Sequence, residues 1–159
     1  MPASSAGLLL HRAGPDGTEV LLVHPGGPFW AKKDDGAWSI PKGEHDDGSD
    51  PHACALREFE EELGSPPPSA EEPDRDLGEV RLKSGKRVRA FARAGTFDAD
   101  DITSNTFETE WPPRSGRRQT FPEVDRAGWF SLDEARRKLN PAQVELLDRL
   151  DAGAEADGA

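Results

Sequence analysis

The sequence predicts one α/β domain in which a mixed β-sheet lies between helical layers, and three observations carry that prediction. Two strand-rich stretches flank a single strongly patterned helix near residues 50–64, and two further helix-forming segments close the chain. A length of 159 residues suits one domain with one substantial core. Hydrophobic residues make up 34% and charged residues 32%, a polar but foldable balance, while 16 Gly and 14 Pro call for many turns. Residues 1–150 are expected to form the domain, and the small, acidic residues 151–159 a disordered tail.

Composition also excludes several classes of function. A formal net charge of −11 argues against general binding to nucleic acid or anionic membrane through bulk electrostatics. No run of about 18 apolar residues exists, and the start MPASSAGLLLH has a short apolar core with no basic lead-in, so a soluble, cytoplasmic protein is expected. The lone Cys54 forbids an internal disulfide and agrees with a reducing compartment; at its position a small space-filling role outweighs a redox or metal role.

Taken in order, Ala6 to His11 and Glu19 to His24 are apolar-rich runs joined by RAGPDGT, which reads as a hairpin. The following HPGGPFWAKKDDG is irregular; Trp30 beside Phe29 suits stacking on a base, and Lys32 and Lys33 suit phosphates, against the alternative of a surface loop with its aromatics tucked back. Ala37 to Ile40 reads as a short strand, and Pro41-Lys42-Gly43 turns the chain, with Lys42 placed to meet a phosphate. Asp50 as N-cap and Pro51 at the first helical position open the helix; Gly64 and the prolines at 66–68 end it. Asp76 to Lys83 and Arg87 to Thr96 flank Ser84-Gly85-Lys86 as a second hairpin. Period two along the latter strand gathers Arg87, Arg89, Phe91 and Arg93 on one face, either a substrate surface or a solvated face paired with acids. Phe107 to Trp111 reads as a strand, and PPRSGRR, with Arg114, Arg117 and Arg118, as a basic loop suited to phosphates or to solvent. Ser131-Leu132-Asp133-Glu134 is a capping box for a helix through Leu139, and Pro141 starts a helix to about Leu150.

The informative stretch is GEHDDGSDPHACALREFEEELGS, Gly43 to Ser65. At about 100° per residue Glu58, Glu61 and Glu62 share one helix face, and Leu56, Phe59 and Leu63 share another roughly 130° away. Like charges at this spacing destabilise a helix by a few tenths of a kcal/mol per pair, so a cation is expected between them. Mg²⁺ is held by one or two carboxylates plus waters and substrate phosphates, which suits such a face.

This stretch resembles the Nudix box, G-x5-E-x7-R-E-U-x-E-E-x-G-U with U a bulky aliphatic residue. Gly43, Arg57, Glu58, Glu61, Glu62 and Gly64 match; Ser49 replaces the early glutamate, Phe59 the central aliphatic residue and Ser65 the last one. The resemblance implies a Nudix-type α/β/α sandwich with a mixed sheet. It implies a Mg²⁺-dependent hydrolase (Mn²⁺ as a substitute) of a diphosphate linkage in a nucleoside polyphosphate, a nucleoside triphosphate or a dinucleoside polyphosphate. Glu58, Glu61 and Glu62 are the implied metal ligands, joined by a backbone carbonyl at Lys42 or Gly43. Arg57 is expected to orient the carboxylates by forked hydrogen bonds, and one of Glu61, Glu62 or Glu123 to act as general base. Glu123 is the candidate fourth acid from its place before the Trp129-Phe130 strand, with Glu108 and Glu110 as competitors. Candidate substrate contacts are Trp30, Lys32, Lys33, Lys42, Arg89 and Arg114. The expected partner is a small nucleotide, bound by a monomer or homodimer. A non-catalytic nucleotide sensor or interaction module is the alternative; the intact acids speak against it.

Overall fold

The computed structural model describes residues 4–46 and 48–157, with side chains described as far as residue 151. Its largest sheet has six strands. β1 (Ser4–Gly14) and β2 (Gly17–Pro25) form the first hairpin, closed between Gly14 and Gly17. β3 (Lys42–His45) leads into α1 (Pro51–Leu63); β4 (Arg75–Arg81) and β5 (Arg87–Ala94) form the second hairpin. β6 (Thr106–Glu110) and β7 (Arg118–Pro122) make a separate two-stranded ribbon, and β8 (Val124–Ser131) returns to the main sheet. α2 (Leu132–Lys138), a 3₁₀ turn at Pro141–Gln143 and α3 (Val144–Asp157) complete the chain.

The strand order is β4-β5-β1-β2-β8, and β3 pairs with β1. β1 runs parallel to β5 and antiparallel to β2 and β3, so the sheet is mixed. On one edge β1 changes partner along its length: Ser4 to Gly7 pair with His45 to Lys42, whereas His11 to Gly14 pair with Val20 to Gly17. A cleft opens where β2 and β3 diverge.

Alternation along the strands divides the core in two. Leu9, Val20, Leu22, Val88 and Ala90 pack with Leu139, Leu146, Leu147 and Leu150 beneath α2 and α3. Ala6, Leu8, Leu10, Leu21 and Phe91 pack with Cys54, Ala55, Phe59 and Leu63 of α1. The result is the expected α/β/α sandwich. Phe59 and Leu63 are fully buried as the helical spacing predicts, and Leu56 packs partly buried against the same cluster.

Several expectations change. Ala37 to Ile40 is no regular strand: Ser39 bridges Val23 and Trp38 bridges Leu139, because Gly36 and Pro41 bracket too few residues to extend either ladder. The strand in this region is β3, two residues later. The arginine face of β5 is not an open surface. Phe91 lies beneath α1 with its ring 4.7 Å from His52, Arg93 grips the buried Asp74 with two donors at 2.8 and 2.9 Å, and Arg89 pairs with Asp76 at 2.6 Å. α3 continues past Leu150 to Asp157, through alanines with high helix propensity, so most of the expected disordered tail is helical; residues 158–159 lie outside the described residues.

Candidate active site

The box helix starts and stops as its sequence dictates. Asp50 accepts from the backbone N–H of His52 and Ala53, Pro51 occupies the first turn, and Gly64 closes the helix in the left-handed region at φ 84°. Buried Phe59 and Leu63 fix the rotation of the helix, which turns Glu58 and Glu62 toward β3. Gly43 is the point of closest approach: a Cβ there would lie 2.0 Å from the Glu58 carboxyl carbon, so only glycine lets that carboxylate rest on the strand. Glu62 accepts from the Lys42 backbone N–H at 3.3 Å.

Glu62, Glu123 and Lys42 line one cavity of about 130 Å³ in the cleft between β2 and β3, with Val23, Pro25, Ser39, Ile40 and Val124. Burial pushes the Glu62 carboxyl up to about 8, against the pull of Lys42 and with the help of Glu58 and Glu123. Burial and then the Glu61 carboxylate raise Glu58, while Arg57 draws it back and Glu123 adds to the rise. Glu58 therefore feels Glu61 and Glu123, and Glu62 feels Glu58 and Glu123, each on top of its burial. Lys42 is lowered by burial and by Lys86, against the opposing pull of Glu62, Glu44 and Glu58. Burial, then Glu58, raises the Cys54 thiol, leaving a small inert side chain behind Gly43.

Among the described residues no three His, Cys, Asp or Glu side chains stand close enough to cage a metal ion by themselves. Mg²⁺ needs no such cage, because waters and substrate phosphates supply much of its shell. Hard carboxylate oxygens whose pKa values are raised first by burial and then by a neighbouring acid fit a divalent cation.

The remaining candidates divide by location. Glu123 sits at the base of the β6–β7 ribbon, where its N–H donates to Asn105 and its carbonyl accepts from Gly26. Glu108 and Glu110 project out along that ribbon, Glu110 accepting from Gly116. Arg114 lies in the loop at the far end, about 17 Å along five residues of strand from that base. Arg89 shares the α1 face with Gly43 but stands two strand spacings away, about 10 Å, with its guanidinium turned to Asp76 and Glu79 on β4. Arg57 lies 4.0 Å from both Glu58 and Glu61, too far for the forked hydrogen bonds expected of it, and its side chain is 57% exposed. Ser49 supplies no carboxylate on its other side. Trp30 and Phe29 are exposed at 39% and 61%, the Lys33 ammonium lies 5.1 Å from the Trp30 ring centre, and Phe29 meets Trp111 edge-on at 5.2 Å. Lys32 is exposed in the same loop.

Three contributors had no signal in the sequence. Asn105 donates its N–H to the Glu61 carbonyl and ties the ribbon to the box helix. Buried Gln143 accepts from the Ile40 N–H at 3.1 Å and bonds Ser39, bracing the segment before β3 from the opposite layer. His24 is fully buried between two acceptors. A cavity of about 590 Å³ lies elsewhere, beside His11 and Arg75, and holds none of the box acids.

An α/β/α sandwich with a capped acidic helix laid against a glycine strand defines a class of phosphate-bond hydrolases. The model for the NUDIX domain matches residues 1–150, so the chain belongs to the Nudix hydrolase family. It is a hydrolase, and Nudix enzymes generally work with a divalent metal. Among solved structures, an Ap4A hydrolase binary complex from C. elegans is similar over 97% of this chain and 98% of its own, at 21% identity and TM-score 0.64. The NUDIX domain of Shewanella oneidensis NrtR complexed with ADP ribose matches over 96% and 88%, at 16% identity and TM-score 0.61. A MutT protein from Methanosarcina mazei Go1 matches over 97% and 96%, at 19% identity and TM-score 0.61. At these identities the likeness is one of fold. No curated protein sequence matches the chain.

Proposed function

We propose that this chain is a Mg²⁺-dependent pyrophosphohydrolase that cleaves a diphosphate linkage in a nucleoside polyphosphate, either a nucleoside triphosphate or a dinucleoside polyphosphate. The observation that carries this reading is Glu62 beside Glu123 and Lys42 in the cleft between β2 and β3, with Glu58 next to it against Gly43 and Glu61 on the outer side of the same helix. Glu58, Glu61, Glu62 and the Gly43 carbonyl would hold Mg²⁺, or Mn²⁺ in its place. When bound, such an ion lowers the pKa of water and neutralises phosphate oxygens. Glu61, Glu62 or Glu123 takes the proton from the attacking water as general base. Lys42, half-buried in the cleft, meets a phosphate oxygen with a partly desolvated ammonium, which strengthens the contact. Trp30 offers its exposed ring to a base, with Lys32 and Lys33 beside it for phosphates. Arg57 screens Glu58 and Glu61 at longer range than a hydrogen bond. The reading places a monomer or homodimer in the cytoplasm, acting on small nucleotides without general nucleic-acid binding. The relatives that bind ADP ribose or hydrolyse Ap4A support a nucleotide-linked substrate class.

A second reading, a nucleotide sensor without turnover, draws support from the loosely held Arg57 beside Ser49. One screen separates the two. Nucleoside triphosphates, dinucleoside polyphosphates, nucleotide sugars and inositol pyrophosphates are each incubated with Mg²⁺ or Mn²⁺, and released phosphate and pyrophosphate are read. Metal-dependent release from a nucleoside polyphosphate is expected; tight binding with no release would establish the sensor instead.

A further inference from the structure

The loop at 26–36, which carries Phe29, Trp30, Lys32 and Lys33, contains no strand or helix, yet it is fastened from beneath. His24, on β2 and 0% exposed, places Nδ1 2.8 Å from the Asp125 carboxylate on β8 and Nε2 2.6 Å from the Lys33 carbonyl. Both neighbours are acceptors. A neutral imidazole donates through one nitrogen only, so both contacts are hydrogen bonds only when both nitrogens carry protons. Trp38 meets the His24 ring edge-on at 5.2 Å and donates its indole N–H to Asp34 at 2.7 Å. The charged groups facing this cluster are Asp125 and Arg126 from β8, Asp34 from the loop and Lys138 from α2. Arg126 lies 3.7 Å from Asp125, and Lys138 bonds Asp34 at 2.5 Å. Gly26 donates to the Glu123 carbonyl at 2.8 Å, so the loop starts beside the acidic cluster.

We propose that His24 is a positioning residue: clamped between Asp125 and the Lys33 carbonyl, it holds the loop so that Trp30, Lys32 and Lys33 meet a phosphate-bearing nucleotide next to Glu123. This rests on the reading that the loop contacts substrate. Nothing in the role requires His24 to touch substrate, so its effect falls on KM and not on kcat. Asp125→Ala leaves His24 in place and removes its anchor on β8, so it loosens the same loop.

The test pairs two readouts on the full chain. Hydrogen-exchange protection of amides 26–36 is measured alongside kcat and KM for diadenosine tetraphosphate and ATP with Mg²⁺. In His24→Gln, KM should rise about fivefold with kcat within about twofold, the weight of one lost hydrogen bond, and loop protection should fall by a similar factor. Asp125→Ala should move KM and protection in the same direction. A His24→Gln variant with the loop protection of the wild type would overturn the clamp, as would one that loses kcat at unchanged KM with the loop still protected. Should His24→Gln fail to fold, the comparison of Asp125→Ala with the wild type decides. A loop that loosens in both variants while the wild type turns over neither nucleotide would leave the clamp standing and defeat the assignment of the activity.

Discussion

At the site of Glu62 the folded, metal-free protein keeps a proton that the unfolded chain releases, because burial lifts the carboxyl from the ordinary 4.5 to about 8. The sign follows directly. Below about pH 4.5 both states are protonated and the group costs nothing; as pH rises through 8 the folded state must either ionise a buried acid or hold its proton against the solvent, and stability falls. Melts in EDTA should therefore show stability declining between these limits, and Glu62→Gln should flatten the decline. Equal pH dependence in the two proteins would contradict the burial of this acid. The same substitution, like Glu61→Gln, should abolish Mg²⁺-dependent turnover with the fold intact; wild-type rates in either variant would sink the site assignment. Gly43→Ala tests the cradle. Its Cβ would meet the Glu58 carboxyl at 2.0 Å and displace it, and a shift of about 1 Å at a catalytic group can cost about 100-fold. Circular dichroism should stay that of the wild type while activity falls by that order.

At the scale of elements, what the sequence made legible was what is held locally. α1 could be drawn to the residue because Asp50, Pro51 and Gly64 are chemical end-stops, and its rotation followed from Phe59 and Leu63. The β4–β5 hairpin followed from Gly85, which takes φ 93° in the turn. Asp50→Ala should accordingly cost about 1 kcal/mol, measurable by urea denaturation, with little change in kcat while the helix stays folded. Long-range pairing left no such mark. Nothing in Lys42 to His45 announces that these residues pair with Ser4 to Gly7, and nothing in β5 announces that its arginine face is closed over by α1 and by acids such as Asp74 from a separate loop. The acids of the box were readable from spacing. Their environment was not, since the burial of Glu62 and the brace from Gln143 come from segments about 20 and 100 residues away in sequence.

At the scale of the whole molecule, the cleft belongs to both halves of the sandwich. α1 delivers Glu62 from one layer, with Glu58 next to it on Gly43; Gln143, following α2 in the other, fixes Ser39 and Ile40; the junction of the ribbon and β8 contributes Glu123. A cation held by these acids therefore binds a site that exists only in the folded domain, and linkage converts its affinity into global stability. At about 100 times the dissociation constant the gain is about 2.7 kcal/mol, which for a domain of this size corresponds to a rise in Tm of roughly 5–10 °C. The gain should be pH-dependent in the opposite sense to the metal-free protein: near pH 8 the cation replaces the proton at Glu62 and lifts the melting temperature, whereas near pH 4.5 protons hold the Glu62 and Glu58 oxygens and the shift vanishes. Mg²⁺ titrations followed by thermal melts at the two pH values give the comparison directly. A shift of equal size at both would place the bound ion away from these carboxylates, and the absence of any shift at high pH would remove the metal from the site altogether.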